Sequence, residues 1–297
     1  MGAINQSSFW VKLGYSLLGD DYPYYVKRNI EKEEIKNRLF AYIWRLMKET
    51  DGQYPPFIKD PYSSNFVKAQ KIIDIQYVEN SVLDGRLIPI VGGFKMILYN
   101  SASLHEYRTR STLAHELGHT FLYDLSKNIP EPYFEPSKTI NWEIEGFVYE
   151  IARSILMPAE LLRKYATNKR KYATNKPSIK RFIWLQKKFR VSSNFLARRL
   201  IKDLLLWNAF IFFASYDKIS DEIRISRPFE RFKSPFFERF NIEEYENEIK
   251  DMVSYSYNHI NEIKKNNFFF GKEQYTIEAY NSEFSPRTLC ILRLSKQ

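Results

Sequence analysis

The stretch TLAHELGHTF, Thr112 to Phe121, constrains this chain more than any other. Leu113, Ala114, Leu117, Phe121 and Leu122 recur at the spacing of a helix with an apolar face, and a strand-like run precedes them. His115 and His119 are four positions apart, so on that helix they project from one side, one above the other. Two imidazoles in that relation can share a metal ion, with zinc about 2.0–2.1 Å from each nitrogen. Glu116 is too close along the helix to be a natural third ligand, but it can reach a water on the metal and take its proton as general base. The alternative is a helix that merely carries two hydrogen-bonded histidines. The chain has only 4 histidines, so H-E-x-x-H by chance is expected in roughly one such chain in several hundred. The zinc reading is therefore preferred.

A catalytic zinc takes three protein ligands and keeps one position open. No third histidine follows at the spacing H-E-x-x-H-x-x-G-x-x-H, which excludes the metzincin pattern. The third ligand is then expected to be a carboxylate on a second helix. NWEIEGFVYEIAR offers Glu143, Glu145 and Glu150, and helical spacing alone does not choose among them.

The rest of the chain divides by its periodicity. Residues 1–54 read as a helical extension, with Ile35, Leu39, Tyr42, Ile43 and Leu46 as its stripe. DGQYPPF (51–57) breaks that pattern and opens the segment 55–160, which holds the histidine helix. In it, GRLIPIVGG and FKMILYN read as two strands, the histidine helix spans about Ser111 to Leu125, and a second helix stops at Met157-Pro158. The heptads KYATNKR and KYATNKP (164–177) are a tandem copy with no apolar face, and are assigned no function. Residues 161–207 include SIKRFIWLQKKFRVSSNFLARRLIKDLLL, read as helix, turn at VSS, helix. Residues 208–297 read as a small α+β unit of β-β-α-β-β order, its helix running through IEEYENEIKDMVSYSYNHINEIKK.

With 297 residues and 44% apolar content, the chain has room for two domains with real cores. The formal charge of +10 would favour acidic partners, but Lys and Arg are interleaved with Asp and Glu and form no block, so a solubilising surface is preferred. The lone cysteine, Cys290, rules out an intrachain disulfide. The start MGAINQ lacks the features of a signal peptide and fits a myristoylation pattern poorly, and no apolar run approaches a membrane span. A cytoplasmic location with no membrane partner is the expectation.

Arg108 to His119 reads R-x-R-x-T-L-A-H-E-L-G-H, followed from Glu145 by E-x-x-x-x-x-x-A-x-x-I-L-M-P. In these motifs the chain resembles the ImmA/IrrE family of bacterial and phage zinc metallopeptidases, over about residues 55–210. The resemblance implies an α+β fold: a zincin-like (minigluzincin) catalytic domain, a helix-turn-helix-like segment, and here an added C-terminal α+β domain that regulates or senses. It implies Zn2+ as cofactor. Aligning on Leu156-Met157-Pro158 puts the family's ligand glutamate at Glu145, with His115 and His119 as the other ligands and Glu116 as the base. The chain departs from the family at Val148 and Tyr149, where Ala and Asn are usual, and at Ser111, where an aromatic is usual. It further implies a regulatory protease whose protein substrate is a DNA-binding transcriptional repressor.

Two other functions compete with that one. In the first, the zinc fold is a scaffold and the C-terminal domain recognises a partner; an intact Glu116 argues against it, because a scaffold needs no base. The second is a toxin–antitoxin or phage-defence component. For oxyanion stabilisation Tyr123, Tyr149, His105 and His259 are candidates, and spacing distinguishes none of them. Direct nucleic-acid contact through Arg198, Arg199 and Lys202 is not favoured, since Phe195, Leu196, Leu200 and Ile201 give that helix an ordinary core stripe.

Overall fold

The computed structural model describes residues 13–14, 31–51, 64–79, 85–100, 106–133, 142–166, 177–226, 245–270, 273–282 and 287–295. The start MGAINQ, most of DGQYPPF, His105 and most of the KYATNK tandem lie outside them. The fold mixes α and β and forms two compact units, Met1–Pro158 and Ala159–Gln297. Residues 161–207 lie within the second unit.

The first unit is built in layers. A three-stranded sheet has the order β1 (Ile72–Glu79), β3 (Gly93–Asn100), β2 (Gly85–Ile90), with β1 parallel and β2 antiparallel to β3. Phe94, Met96 and Leu98 alternate along β3 and are buried, as the period of a half-covered strand requires. The chain enters β1 through Lys71, held at φ 55, whose carbonyl accepts a hydrogen bond from the Phe94 N–H at 2.8 Å. A Cβ on Gly93 would lie 2.1 Å from that carbonyl oxygen, so only glycine fits there. The short helix α2 (Asn65–Ala69) precedes this turn and is capped by the Ser64 hydroxyl.

Helix α3 (Glu106–Thr120) carries TLAHELGHT and packs against β2 and β3. It starts and ends five residues earlier than the sequence pattern suggests. Its last turn closes with the Leu122 N–H on the His119 carbonyl at 2.9 Å. The chain then turns into β4 (Tyr123–Asp124), which pairs with β5 (Glu131–Pro132). Two-residue strands leave no period to read. Helix α4 (Trp142–Leu156) lies on α3, and α1 (Glu31–Asp51) lies on α4. The buried stripe of α1 is Ile35, Leu39, Ile43 and Met47, whereas Tyr42 is exposed.

The second unit opens with α5 (Ala159–Ala166), α6 (Ile179–Phe189) and α7 (Ser193–Arg198), the last running into a π turn at Arg199–Asp203. Arg190 in the left-handed region ends α6, and Ser192 caps α7. A five-stranded antiparallel sheet follows, ordered β7 (Glu222–Ile225), β6 (Phe210–Asp217), β10 (Thr288–Leu294), β9 (Glu273–Tyr280), β8 (Ile263–Phe270). Helix α8 (Glu246–Asn258) packs on a core of Phe212, Ile249, Val253, Ile277 and Cys290, where burial pushes the Cys290 thiol pKa up. The α6 helix docks on β9 and β10, where the Ile179 N–H donates to Glu278 Oε2 at 2.8 Å. Glu278 also pairs with buried Arg293.

From Phe210 on, the order among the described residues is β-β-α-β-β-β, one strand more than the sequence suggests for 208–297. The helical pattern runs on through NHINEIKK, but α8 stops at Asn258. Asn261 takes φ 68, and Ile263 to Phe270 pair residue by residue with β9. The edge strand thus captures residues whose spacing also suits a helix. Among the described residues, no helix is long and apolar enough to cross a membrane.

Candidate metal centre

Helix α3 presents His115 and His119 on one face, as their spacing requires, and α4 crosses that face. The close crossing depends on Gly118 inside HELGH. A Cβ there would stand 3.1 Å from both the Cγ1 and the carbonyl oxygen of Val148 on α4. With that separation, Glu145 reaches both imidazoles. His115 Nε2 lies 3.2 Å from His119 Nε2 and 3.2 Å from Glu145 Oε2, and His119 Nε2 lies 3.7 Å from Glu145 Oε1. Among the described residues, these three are the group of metal-ligating side chains whose donor atoms converge.

The other two carboxylates of α4 are held elsewhere. Glu143 pairs with Lys32, and Glu150 lies 3.0 Å from Lys36, both lysines belonging to α1. The Lys36 ammonium also sits over the Phe147 ring, against which Phe40 packs. The rotation of α4 between α3 and α1 thus turns Glu145 toward the two histidines and Glu143 and Glu150 toward the lysines. No local signal in the sequence pointed to Lys32 or Lys36, which lie more than a hundred positions before their partners.

The donor set suits zinc. Two ligands about 2.0–2.1 Å from a tetrahedral zinc stand about 3.3–3.4 Å apart, and the observed separations bracket that value. Burial, reinforced by the neighbouring His115 and opposed by Glu145, pulls the His119 pKa down to about 4. The imidazole is thus neutral near pH 7, the form that binds a metal. Burial raises the Glu145 pKa, but the hydrogen bond with His115 and the two nearby imidazoles outweigh it and hold the carboxyl below its usual range.

Glu116 is buried beside this cluster, against the first residue of the edge strand β2. A Cβ on Gly85 would meet Glu116 Oε1 at 2.6 Å and Thr112 Cγ2 at 2.9 Å, so glycine at the head of β2 makes room for the carboxylate. Sequence reading missed Gly85; its strand was legible but not its neighbour. Among the candidate oxyanion donors, burial and the Glu116 charge both push the Tyr123 phenol pKa up. The Tyr149 ring lies on His115, centroids 4.2 Å apart. His259 belongs to the second unit, where it stacks on Tyr255. Of the basic residues on the second helix of the helix-turn-helix-like pair, Arg199 is buried and lies 3.4 Å from Asp203.

Residues 71–201 match the family model described as the IrrE N-terminal-like domain, Peptidase_M78. No curated protein matches the chain. The matched segment contains β1 to β3, the histidine helix α3, and α4 with Glu145, and the whole of α1 precedes it. Through that segment, with its two histidines and facing carboxylate, the chain is similar to the ImmA/IrrE-type family.

Proposed function

We propose that the first unit is a zinc-dependent endopeptidase in which His115, His119 and Glu145 hold the metal and Glu116 is the general base. The observation that carries this reading is the convergence of one carboxylate and two imidazole nitrogens beside a buried glutamate. The Peptidase_M78 match supports peptidase chemistry. Zinc bound there supplies a Lewis acid that polarises the scissile carbonyl and acidifies water. Glu116 takes a proton from the attacking water as its oxygen bonds to the carbonyl carbon. The carboxyl then delivers that proton to the departing amine as the C–N bond breaks, so the base is regenerated. Glycine at position 85 leaves the space that the Glu116 carboxylate occupies, which a larger residue there would take from it.

We further infer a cytoplasmic regulatory protease with one preferred protein substrate, a DNA-binding repressor. The likeness of residues 71–201 to the IrrE N-terminal-like domain supports this reading, and the large second unit suits a role in admitting or refusing a substrate. The test is incubation of the purified protein with the repressor encoded beside its gene, with and without a chelator. Discrete fragments that appear only without chelator are the expected result. An intact repressor in the presence of zinc-loaded protein counts against this substrate. The competing role of a zinc-fold scaffold predicts that the repressor is bound and remains uncut.

A further inference from the structure

A histidine that binds a metal through one ring nitrogen commonly donates its other N–H to a carboxylate or carbonyl. That bond fixes both the tautomer and the plane of the ring. His115 departs from this pattern. Its Nε2 faces His119 and Glu145, while its Nδ1 is buried and has no hydrogen-bond partner among the described residues. A buried polar atom without a partner calls for an explanation, because leaving it so costs about 1–3 kcal/mol. Without that bond, something else must set the ring.

The neighbour in position to do so is Tyr149. Its ring centroid lies 4.2 Å from that of His115, with the planes 41° apart. Tyr149 follows Glu145 by four residues on α4, so both side chains leave the same face of that helix. One helix therefore brings to His115 a carboxylate at its Nε2 edge and an aromatic plane across its face.

We propose that Tyr149 is a positioning residue for His115, its ring doing by packing what a hydrogen bond donated by the Nδ1–H does in other metal-binding histidines. Contact between the rings restricts rotation of the imidazole about its Cβ–Cγ bond and keeps Nε2 aimed at the shared site. The hydroxyl of Tyr149 has no part in this function; the aromatic plane does. The inference rests on the reading of His115 as a zinc ligand and adds to it the means by which that ligand is held.

The test compares wild type, Tyr149→Phe and Tyr149→Ala. Zinc affinity is measured by competition with a chromophoric chelator, and the visible spectrum is recorded with Co2+ in place of zinc. Tyr149→Phe should bind zinc within about 3-fold of wild type and give the same Co2+ bands, because the ring is retained. Tyr149→Ala should weaken zinc by about 10-fold or more, the usual scale for losing a group that orients a ligand, and should shift or broaden the Co2+ bands. Circular dichroism of each metal-free variant is expected to match wild type, since Tyr149 is 40% exposed and its loss opens no closed cavity. Wild-type affinity and bands in Tyr149→Ala would overturn the proposal, as would a Tyr149→Phe variant as weak as Tyr149→Ala. A wild-type protein that binds no zinc would instead overturn the reading of the site itself.

Discussion

Gly118 and Val148 meet where two helices cross, and a single methyl group on Gly118 would stand 3.1 Å from the Val148 side chain and backbone together. Gly118→Ala should therefore move α4 outward and carry Glu145 with it. The gain in helix propensity, about 1 kcal/mol, offsets part of the overpacking cost of about 1–3 kcal/mol, so the fold should survive. Zinc affinity is expected to fall much more than thermal stability. Adding Val148→Ala removes the Cγ1 contact and should restore part of the affinity, which titration of both variants would reveal. Equal affinity in all three proteins would mean that the crossing distance does not govern the site.

Glu116→Gln keeps the size of the side chain beside Gly85 but cannot accept a proton. Metal content should be unchanged and cleavage should slow by ~10²–10⁴-fold. Single-turnover rates on a true substrate would check this, and an unaltered rate would assign the base elsewhere.

The three carboxylates of α4 should separate cleanly when each is changed to the amide. Glu145→Gln is expected to weaken zinc by more than the roughly 10–100-fold typical of an outer-shell partner. Glu143→Gln and Glu150→Gln break only partly exposed pairs with Lys32 and Lys36, worth about 0.2–1 kcal/mol each, and should change zinc affinity little. Competition titrations of the three variants would rank them, and a large loss from either neighbour would contradict the ligand assignment.

Glu278→Ala removes the partner of buried Arg293 and the acceptor for the Ile179 N–H. Breaking a buried pair of this kind costs about 3–5 kcal/mol. Hydrogen exchange should quicken at α6 and along β9 and β10, while zinc stays at one per chain in the first unit. Loss of zinc with the first unit still protected would show that the metal site reaches beyond it.

How much of this could be read in advance depended on range. The histidine pair was legible because its spacing is local, and helix geometry converts four positions into one face. The two strands on either side of Gly92-Gly93 were legible for the same reason. Glu145 was not separable from Glu143 and Glu150 by physical reading of the helix, because what separates them is the packing of α4 against α1. Only the alignment on Leu156-Met157-Pro158 named it. The β8 strand was hidden because Ile263 to Lys265 continue the helical pattern of α8, and pairing with β9 overrides that pattern. Tyr149 was visible as a departure from the family, yet its contact with His115 required the fold.

The stretch that matches the family model, 71–201, runs across the division of the chain after Pro158, leaving out the lysine-bearing helix at one end and the sheet that receives α6 at the other. Grafting that stretch alone into another chain would transplant His115, His119 and Glu145 without Lys32 and Lys36, which hold the neighbouring carboxylates of α4, and without the strands on which α6 docks.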